Sequence, residues 1–495
     1  MTDLMLVNPL FLKDDPVESR LMTPYFPLGL LYIAAVVRES GYSVTIFDAM
    51  FADSEAPFIQ ALESDKPKIV GLGALTTVRR ATLHLAGLAK EWGATVIVGG
   101  ADPTARPDIY LGHKRQRRPS VDVVVVGEAE ETILDILPSL LAGASPHTAL
   151  TSVAGIAYRD RHGQVVQSPR RPLIRDLDQL PIPARDLIDV DRYRQAWRSH
   201  HDHFSLSIIA SRGCPYGCTW CQKSVFGRSF RLRSADSVAD EMVLIKRTYQ
   251  PDQLRIVDDV TGIDRGWVRA FHHAVLQRSA EIPFECLSRA DLMDEEMASL
   301  LKQIGCRRMH FGAESGSQSV LDAMNKGITV KQIEDVADIC RRVGIETYFY
   351  MMVGYPGESW ADLKRSVDLL RRTRPDDFST TIAYPLPGTP FHDELRDRLD
   401  LNGPLGPDWT HTAENRLLFR RGRFSTAFFR RVIRWFHSEW RDACLRADAP
   451  ASPIDWLKTK AGLLRDRILV RALACLPGVL HAPFRPTAGE GRDIG

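Results

Sequence analysis

The sequence has almost no net charge, few cysteines and no apolar run long enough to span a membrane. Its 495 residues carry a net charge of +2, which gives no overall attraction to nucleic acid. Eight cysteines in so long a chain do not form a disulfide framework. No basic segment followed by an apolar run opens the sequence, so we expect a cytoplasmic protein. The hydrophobic fraction of 44% is that of a soluble globular protein, and the length predicts two or three domains.

Three of the cysteines form the most informative motif. Cys214, Cys218 and Cys221 have a CxxxCxxC spacing directly after a largely apolar stretch. Three thiolates on one loop suit three irons of a [4Fe-4S] cluster, and because no fourth cysteine is nearby, one iron stays open to another ligand. Zinc is a weaker alternative, since it needs a fourth ligand and His201 and His203 precede the strand rather than lie on the loop. Three unconnected buried thiols would be a coincidence at this spacing.

Residues 1–150 predict a doubly wound α/β domain of the Rossmann type. Nearly continuous apolar strands alternate with helices, which is typical of a parallel sheet covered on both faces. The predicted strands are 4–8, 43–48, 69–73, 95–99 and 121–126, and the predicted helices are 28–38, 78–92 and 130–137. Ligands of such folds bind beyond the carboxyl ends of the strands, where segments 75–77, 99–103 and 127–130 lie. Paired glycines after a strand are also ordinary turn residues.

Residues 151–200 predict a hairpin and linker, and residues 201–395 a second series of strands and helices. The predicted strands are 205–210, 253–257, 284–287, 308–311, 347–351 and 377–383, and the predicted helices are 237–248, 265–278, 294–304, 330–343 and 360–372. This order predicts a partial (βα)6 barrel of the TIM type, with its active site at the carboxyl ends of the strands. The cysteine motif lies at such an end. Residues 396–495 predict a mostly helical C-terminal region.

These features resemble the radical S-adenosylmethionine (SAM) superfamily, and the first domain resembles the cobalamin (B12)-binding domain fused to one branch of it. The phrases that carry the resemblance are PLGLLYIAA from Pro27, VGGADPT from Val98, VGEAEET from Val126, LPIPARD from Leu180 and HFGAESGS from His310. The stretch CQKSVFGRSFR, which begins at Cys221, is similar to the group around the anaerobic magnesium-protoporphyrin IX monomethyl ester cyclase and the B12-dependent C-methyltransferases.

The resemblance implies residues that bind SAM. The three cysteines would hold the cluster, and SAM would chelate its open iron, so that an electron cleaves SAM and releases a 5′-deoxyadenosyl radical. The residues expected to contact SAM are Trp220 at the adenine, Asp258 and Asp259 at the amino group, Arg289 at the carboxylate, and Glu314 and Ser315 at the ribose. Each type has a structural alternative, since a loop aromatic fills space and paired aspartates cap helices.

The cobalamin domain departs from one pattern. The DxHxxG motif, whose histidine binds cobalt in domains of the methionine synthase type, is absent, and neither His84 nor His113 has the spacing of a cobalt ligand. We therefore expect no histidine on the lower face of cobalt, which would suit methyl donation toward the barrel. The resemblance assigns cobalamin binding to Leu75, Thr76, Gly99, Gly100, Gly127 and Glu128.

The implied function is methylation of an unactivated carbon. The deoxyadenosyl radical would remove a hydrogen atom, and the carbon radical would accept a methyl group from methylcobalamin while the site holds both partners in place. Two alternatives stay open: oxidative cyclisation of a tetrapyrrole side chain, and a non-catalytic cobalamin-binding sensor or carrier. The implied partners are a small-molecule or carrier-bound substrate and an electron donor such as flavodoxin or ferredoxin.

A basic and aromatic stretch in the C-terminal region has two interpretations. It comprises Arg416, Arg420, Arg421, Arg423, Arg430, Arg431 and Arg434, interleaved with Phe424, Phe428, Phe429, Trp435 and Phe436. The stretch would either contact an acidic substrate or a membrane surface, or form an amphipathic helix that packs its aromatics on the barrel. We favour the packed helix, because charge runs are usually solvated faces.

Overall fold

A computed structural model describes residues 2–112, 120–399, 424–447 and 453–475. The strands of a first sheet are β1 (Leu4–Asn8), β2 (Val44–Asp48), β3 (Ile69–Gly73), β4 (Thr95–Gly99), β5 (Val123–Val125), β6 (Ile156–Arg159) and β7 (Val165–Gln167). Its helices are α1 (Glu18–Leu21), α2 (Leu28–Glu39), α3 (Ala56–Asp65), α4 (Arg79–Trp92), α5 (Ala101–Ala105), α6 (Pro107–Leu111), α7 (Glu130–Leu141) and α8 (Pro146–Ala149).

The first sheet confirms the doubly wound domain. Its strand order is β2-β1-β3-β4-β5-β6-β7, with the first five strands parallel and the hairpin β6–β7 added antiparallel at one edge. The side chains of β1 alternate between the two faces of the sheet. Leu4 and Leu6 pack with α2 and α7, whereas Met5 and Val7 pack with α3 and α4. The strand order reverses at β1, and that reversal opens a crevice at the carboxyl ends of β1 and β3.

The second sheet confirms the six parallel strands of the predicted partial barrel. Its chain segment contains β8 (Ser205–Ile208), β9 (Ser211–Arg212), β10 (Arg231–Leu232), β11 (Gln253–Thr261), β12 (Phe284–Ser288), β13 (Cys306–Glu314), β14 (Glu346–Val353) and β15 (Asp377–Ile382). The sheet order is β15-β14-β13-β12-β11-β8, and β9 and β10 form a separate antiparallel pair. Because β8 and β15 do not pair, the barrel is open on one side.

The helices of this part cover the outside of the barrel and continue into the C-terminal region. They are α9 (Val190–His201), α10 (Ala235–Thr248), α11 (Arg265–Gln277), α12 (Glu295–Gln303), α13 (Gln318–Ala323), α14 (Val330–Val343), α15 (Trp360–Thr373), α16 (Pro390–Glu394), α17 (Thr426–Ala447) and α18 (Pro453–Cys475). Several begin at side-chain caps, such as Thr329 before α14 and Ser359 before α15, each in a capping box. Across the described ranges, no helix is both long and apolar enough to cross a membrane.

Helix α9 joins the two domains. The Trp197 indole donates to the carbonyl oxygen of Pro24 at 2.9 Å, and the Tyr193 hydroxyl donates to Asp48 at 2.6 Å. Tyr193 also stacks on Phe26, with 4.3 Å between ring centroids. Since these contacts are largely buried, the segment predicted as a linker is a packed joint.

The aromatic residues of α17 pack inward, as the packed-helix interpretation predicts. Phe428, Trp435 and Phe436 are buried in the same core as the barrel. Arg434 faces solvent, and Arg430 and Arg431 are partly buried. The basic residues before the helix lie outside the described residues; they are Arg416, Arg420, Arg421 and Arg423.

Candidate active site

The cysteine loop, residues 213–230, begins beyond the end of the first barrel strand. The antiparallel pair β9 and β10, in which Arg212 faces Arg231, closes its base. Gly213 has a φ of +85°, and a Cβ there would lie 1.9 Å from the carbonyl oxygen of Ser229. Only glycine fits this position, so the sequence itself fixes the close approach of the two ends of the loop.

The loop forms one wall of the barrel cavity, a space of about 530 Å³ at the carboxyl ends of the barrel strands. This volume is in the range of roughly 300–1,000 Å³ that ligand pockets occupy. The sequence-predicted residues that line it are Cys214, Cys218, Cys221, Trp220, Asp259, Arg289 and Glu314. Residues distant in sequence, contributed by the loop and three strands, thus converge on one space.

The three thiols of the loop share the barrel cavity. Within the described parts of the chain, no three Cys, His, Asp or Glu side chains are grouped to hold one metal ion. A [4Fe-4S] cube instead takes a thiolate at each of three separate corners, and all three cysteines face the barrel cavity. The structure thus brings all three cysteines to one cavity wall, and their role as ligands of a cluster stays a prediction.

The environment favours thiolate at Cys218. A hydrogen bond from Cys221 lowers the pKa of Cys218 to about 6; burial opposes this shift, and positive charges reinforce it. Those charges belong to Lys326, Arg289 and Lys223. The same contact raises the pKa of Cys221, so one thiol of the pair is favoured as the thiolate, which is the form that binds iron.

Arg289 is buried and supports the cysteine loop. It donates to both carboxylate oxygens of Asp291, at 3.0 and 3.2 Å, and to the carbonyl oxygen of Lys326 at 2.8 Å. Its guanidinium carbon lies 3.6 Å from the ring centroid of Tyr216, which stands between Cys214 and Cys218. A cation over an aromatic face is attractive, so Arg289 positions the loop; its pairing with the SAM carboxylate stays a prediction.

Lys326 is a cavity residue that the sequence did not reveal. Its ammonium donates to Glu314 at 3.0 Å, both side chains being only 8% exposed, and lies 5.3 Å from the Trp220 ring centroid. Glu314 ends β13 at a φ of +58°, which is unusual for a residue other than glycine. Gly312 makes room for the pair, since a Cβ there would lie 2.4 Å from Nζ of Lys326. Lys326 lies on a loop, where no periodic pattern marks it.

Two predicted SAM-binding residues face away from the barrel cavity. The Asp258 carboxylate accepts from the backbone N–H groups of Ala210 and Ser211 at 2.7 and 3.0 Å. Burial raises the pKa of Asp258 to about 6. Ser315 is buried beside Ser366, with 3.1 Å between their hydroxyl oxygens. Neither side chain lines the cavity, contrary to the expectation that both contact SAM. Asp258 and Asp259 point to opposite sides because they are successive strand residues. Ser315 follows the end of β13, where the chain turns toward Ser366.

The barrel interior next to the cavity is polar, a second feature that the sequence analysis missed. Nε2 of His310 lies 3.2 Å from the Glu285 carboxylate, and Nδ1 lies 3.2 Å from the Tyr350 hydroxyl. A carboxylate only accepts, so in the neutral ring Nε2 carries the hydrogen and Nδ1 accepts from Tyr350. The Tyr350 oxygen, on the cavity wall, is then able to accept a hydrogen bond from a ligand. The alternation of Tyr348 and Tyr350 in β14 was the sequence pattern that could have predicted a polar barrel interior.

A second space, the crevice cavity, has a volume of about 410 Å³ and lies at the carboxyl ends of the N-terminal strands. The predicted residues that line it are Leu75, Gly99, Gly100, Gly127 and Glu128. Thr76 does not line it; its hydroxyl instead donates to Asp102 at 3.0 Å. The wall is mostly apolar, with side chains from α2 and α7 and with Gly71 and Gly73 of β3. Because glycine has no side chain, a flat and bulky ligand such as a corrin can lie close to the backbone of the strands.

The two histidines weighed as cobalt ligands are not found on the described wall of the crevice cavity, and the lack of a cobalt-binding histidine stays a prediction. No histidine is among the crevice-lining residues of the described chain. His84 lies on the outer side of α4, where it contacts Glu55, and His113 lies outside the described residues. Apolar side chains, such as the half-exposed Leu75, line this part of the crevice wall.

Gly100→Ala is expected to impair the crevice cavity. Gly100 has a φ of +119°, and a Cβ there would lie 2.4 Å from the carbonyl oxygen of Ala74, so the β4 turn must shift. We expect hydroxocobalamin to bind at least about tenfold more weakly, which corresponds to roughly 1.4 kcal/mol. An absorbance titration measures this. Gly87→Ala is the control, since its Cβ would meet nothing closer than 3.7 Å in helix α4; equal affinity of both variants would contradict the prediction.

Comparison with known proteins agrees with the two cavities. The radical SAM superfamily profile matches residues 208–370, and the B12-binding domain profile matches residues 20–137. An uncharacterized methyltransferase of Pyrococcus horikoshii is 29% identical over 394 residues, covering 78% of this chain and 82% of that protein. The anaerobic magnesium-protoporphyrin IX monomethyl ester cyclase of Rubrivivax gelatinosus is 26% identical over 381 residues, covering 76% and 67%.

A solved structure shares the fold over nearly the whole chain. It is the cobalamin-dependent SAM radical enzyme OxsB with aqua-cobalamin bound, with a TM-score of 0.71 and 18% identity. The match covers 96% of this chain and 72% of OxsB. The order of domains, a cobalamin-type sheet before an open barrel, is therefore shared.

Proposed function

We propose that this chain, which belongs to the cobalamin-binding branch of the radical SAM superfamily, is an enzyme that methylates an unactivated carbon of a small-molecule substrate. Its cofactors are a [4Fe-4S] cluster, SAM and cobalamin. The observation that carries the proposal is that one loop presents its three cysteines to the barrel cavity and Val225 and Phe226 to the crevice cavity. Two cofactor spaces thus share one wall.

Particular residues of the chain would hold each group. The cysteines Cys214, Cys218 and Cys221 would ligate the cluster, and Leu75, Gly99, Gly100, Gly127 and Glu128 would border the corrin. For SAM we propose Trp220, Asp259, Arg289 and Glu314, to which the structure adds Lys326. When bound, the groups supply an electron for cleavage of SAM and a methyl group carried on cobalamin.

The chain contributes charge and orientation to this chemistry. The Lys326–Glu314 pair and Arg289 are buried beside the thiols, so they offer fixed charges to the carboxylate and amino group of SAM without reorganising. Asp259, at the end of β11, faces the same space and lies near Lys223. Fixed placement of SAM relative to the substrate limits side reactions of a short-lived radical.

The polar barrel interior supports a small, hydrogen-bonding substrate. Glu285, His310 and Tyr350 form a hydrogen-bonded chain that ends at the phenol on the cavity wall, and Ser379 and Thr381 add hydroxyl groups to that wall. A substrate with a hydroxyl or N–H group near the reacting carbon would be oriented by these groups. Cleavage of SAM also needs an electron donor, for which a flavodoxin or ferredoxin is proposed.

Product analysis tests the proposed function. The protein is reconstituted anaerobically with iron and sulfide, with or without hydroxocobalamin, and incubated with SAM, a chemical reductant and a small-molecule extract of the source organism. We expect 5′-deoxyadenosine to require the cluster and S-adenosylhomocysteine to require cobalamin, because SAM would then serve both as radical source and as methyl source. Mass spectrometry quantifies both. Formation of 5′-deoxyadenosine without S-adenosylhomocysteine would instead favour the oxidative cyclase, and formation of neither would favour a sensor or carrier.

A further inference from the structure

The cysteine loop is built into the wall of both cavities. Phe226 and Val225, on the side of the loop opposite the cysteines, line the crevice cavity. Ser224 donates to the carbonyl oxygen of Ala101, the first residue of α5, at 2.8 Å. Cys221 is only three residues from Ser224, so the metal-ligating part of the loop lies close in the chain to its contacts with the cobalamin domain.

A buried cluster of four charges, the base cluster, fixes this loop to the N-terminal domain. Arg212 donates to Glu128 at 2.8 Å and to Glu130 at 2.5 Å. Arg231 donates to both oxygens of Glu128, at 2.9 and 2.8 Å, and to the carbonyl oxygen of Ile174 at 2.6 Å. The side chains of all four charged residues are no more than 10% exposed. Two positive and two negative charges therefore compensate one another away from solvent.

The base cluster borders the crevice cavity and lies next to the cysteine motif in the chain. Glu128, Glu130 and Arg212 line the crevice cavity. Arg212 also precedes the first cysteine, Cys214, by only two residues, and its guanidinium carbon lies 5.3 Å from the ring centroid of Phe226. The Arg212 side chain thus lies on the crevice wall and over Phe226 of the loop, and its backbone is two residues from the first cysteine.

The chemistry of arginine makes this arrangement specific. The planar guanidinium donates through two separate NH2 groups, which lets Arg212 bind Glu128 and Glu130 at the same time. A lysine keeps the charge but has a single ammonium on a flexible stem, so it does not hold both carboxylates in the same geometry. Breaking one partner of a buried pair leaves an uncompensated charge, so the loop has one favoured position relative to the crevice.

We propose that Arg212 is a positioning residue that couples the two cofactor sites, so that cluster and cobalamin bind cooperatively; this inference rests on the proposed function. The base cluster ties the loop firmly to the crevice wall, so a shift of the loop caused by one cofactor is passed on to the site of the other. The coupling is reciprocal: occupancy of the crevice tightens the cluster site by the factor by which the cluster tightens the crevice.

The test compares the affinity for hydroxocobalamin with and without the cluster. Full-length protein is titrated anaerobically, by absorbance, as apoprotein and after reconstitution with iron and sulfide. We expect the cluster to tighten hydroxocobalamin binding at least about fivefold, the lower end of typical couplings. In Arg212→Lys the ratio of the two dissociation constants is expected to fall to about one. The electron paramagnetic resonance (EPR) spectrum of the reduced cluster is expected to shift on cobalamin addition in wild type and not in Arg212→Lys.

Two further variants separate coupling from a general loss of structure. Arg185→Lys changes another buried arginine, which pairs with Glu241 at 2.7 Å and lines neither cavity, and is expected to keep the wild-type ratio. Phe226→Leu, on the crevice face of the loop, is expected to reduce the ratio even where Arg212→Lys proves too unstable to purify. Equal dissociation constants in the two wild-type forms, or an unchanged ratio in Arg212→Lys or Phe226→Leu, would overturn the inference.

The outcome is separable from that of the proposed function. If both cofactors bind and a methylated product forms, yet the two affinities are independent, only the coupling is wrong. If the reconstituted protein binds no cobalamin or cleaves no SAM, the proposed function itself is wrong.

Discussion

Cys218→Ala is expected to abolish cleavage of SAM, so that no more 5′-deoxyadenosine forms than in a reaction without protein. Cys218 is the buried member of the three-cysteine set. Its replacement would leave the cluster with only two of its three cysteine ligands. The variant should also contain little iron and sulfide after reconstitution. Mass spectrometry of 5′-deoxyadenosine and chemical analysis of iron measure the two effects.

Cys340→Ala provides the matched control. Cys340 is fully buried on α14, away from the barrel cavity, and behaves as a small apolar side chain. We expect this variant to keep its cluster and its SAM cleavage. Unchanged activity of Cys218→Ala, or equal iron loss in both variants, would contradict the assignment of the cysteine motif.

Lys326→Met is expected to have the second-largest effect, on both stability and SAM cleavage. Burial disfavours the charge of Lys326, but Glu314 together with Cys218 and Cys221 outweighs burial, so the pKa of the ammonium is raised. Removing the ammonium leaves Glu314 charged and unpaired inside the barrel, which costs about 3–5 kcal/mol when a buried pair is broken. Thermal or denaturant unfolding of the apoprotein measures the loss of stability, and assays of 5′-deoxyadenosine measure the loss of activity.

Two comparisons distinguish the roles of Lys326. In Lys326→Met/Glu314→Gln no charge is left unpaired, so most of the stability is expected to return while SAM cleavage stays low. Lys331→Ala breaks a surface pair with Asp335, whose lysine side chain is 73% exposed, and is expected to cost less than about 1 kcal/mol. Full recovery of SAM cleavage in the double variant would show that Lys326 acts only on stability.

Much of the fold could be predicted because hydrophobic patterns in both domains are regular. The strands of both sheets are apolar runs in the sequence, and the helices between them have apolar residues at helical spacing along one face. Helix α3 was missed because its buried stripe is narrow, with only Phe58 and Leu62 buried. The hairpin β6–β7 was predicted, but its place at the edge of the first sheet depends on pairing with β5, which is tertiary information.

The site was only partly predictable, for two physical reasons. Neighbouring strand residues point to opposite sides, so Asp259 faces the barrel cavity while Asp258 holds backbone behind it. Contacts between distant segments leave no local pattern, which is why Lys326 was missed. Glu128 was assigned to cobalamin, but its pairing with Arg212 became visible only when the two domains were seen together.

The source of the transferred methyl group tests the central claim most directly. The protein, carrying its cluster and loaded with methylcobalamin labelled with ¹³C in the methyl group, is mixed anaerobically with unlabelled SAM, reductant and a small-molecule extract of the source organism for a single turnover. High-resolution mass spectrometry then follows the label. The account predicts a product that gains one ¹³C-labelled methyl group, together with one 5′-deoxyadenosine. An unlabelled methyl group in the product, or an oxidised product without a new methyl group, would contradict it.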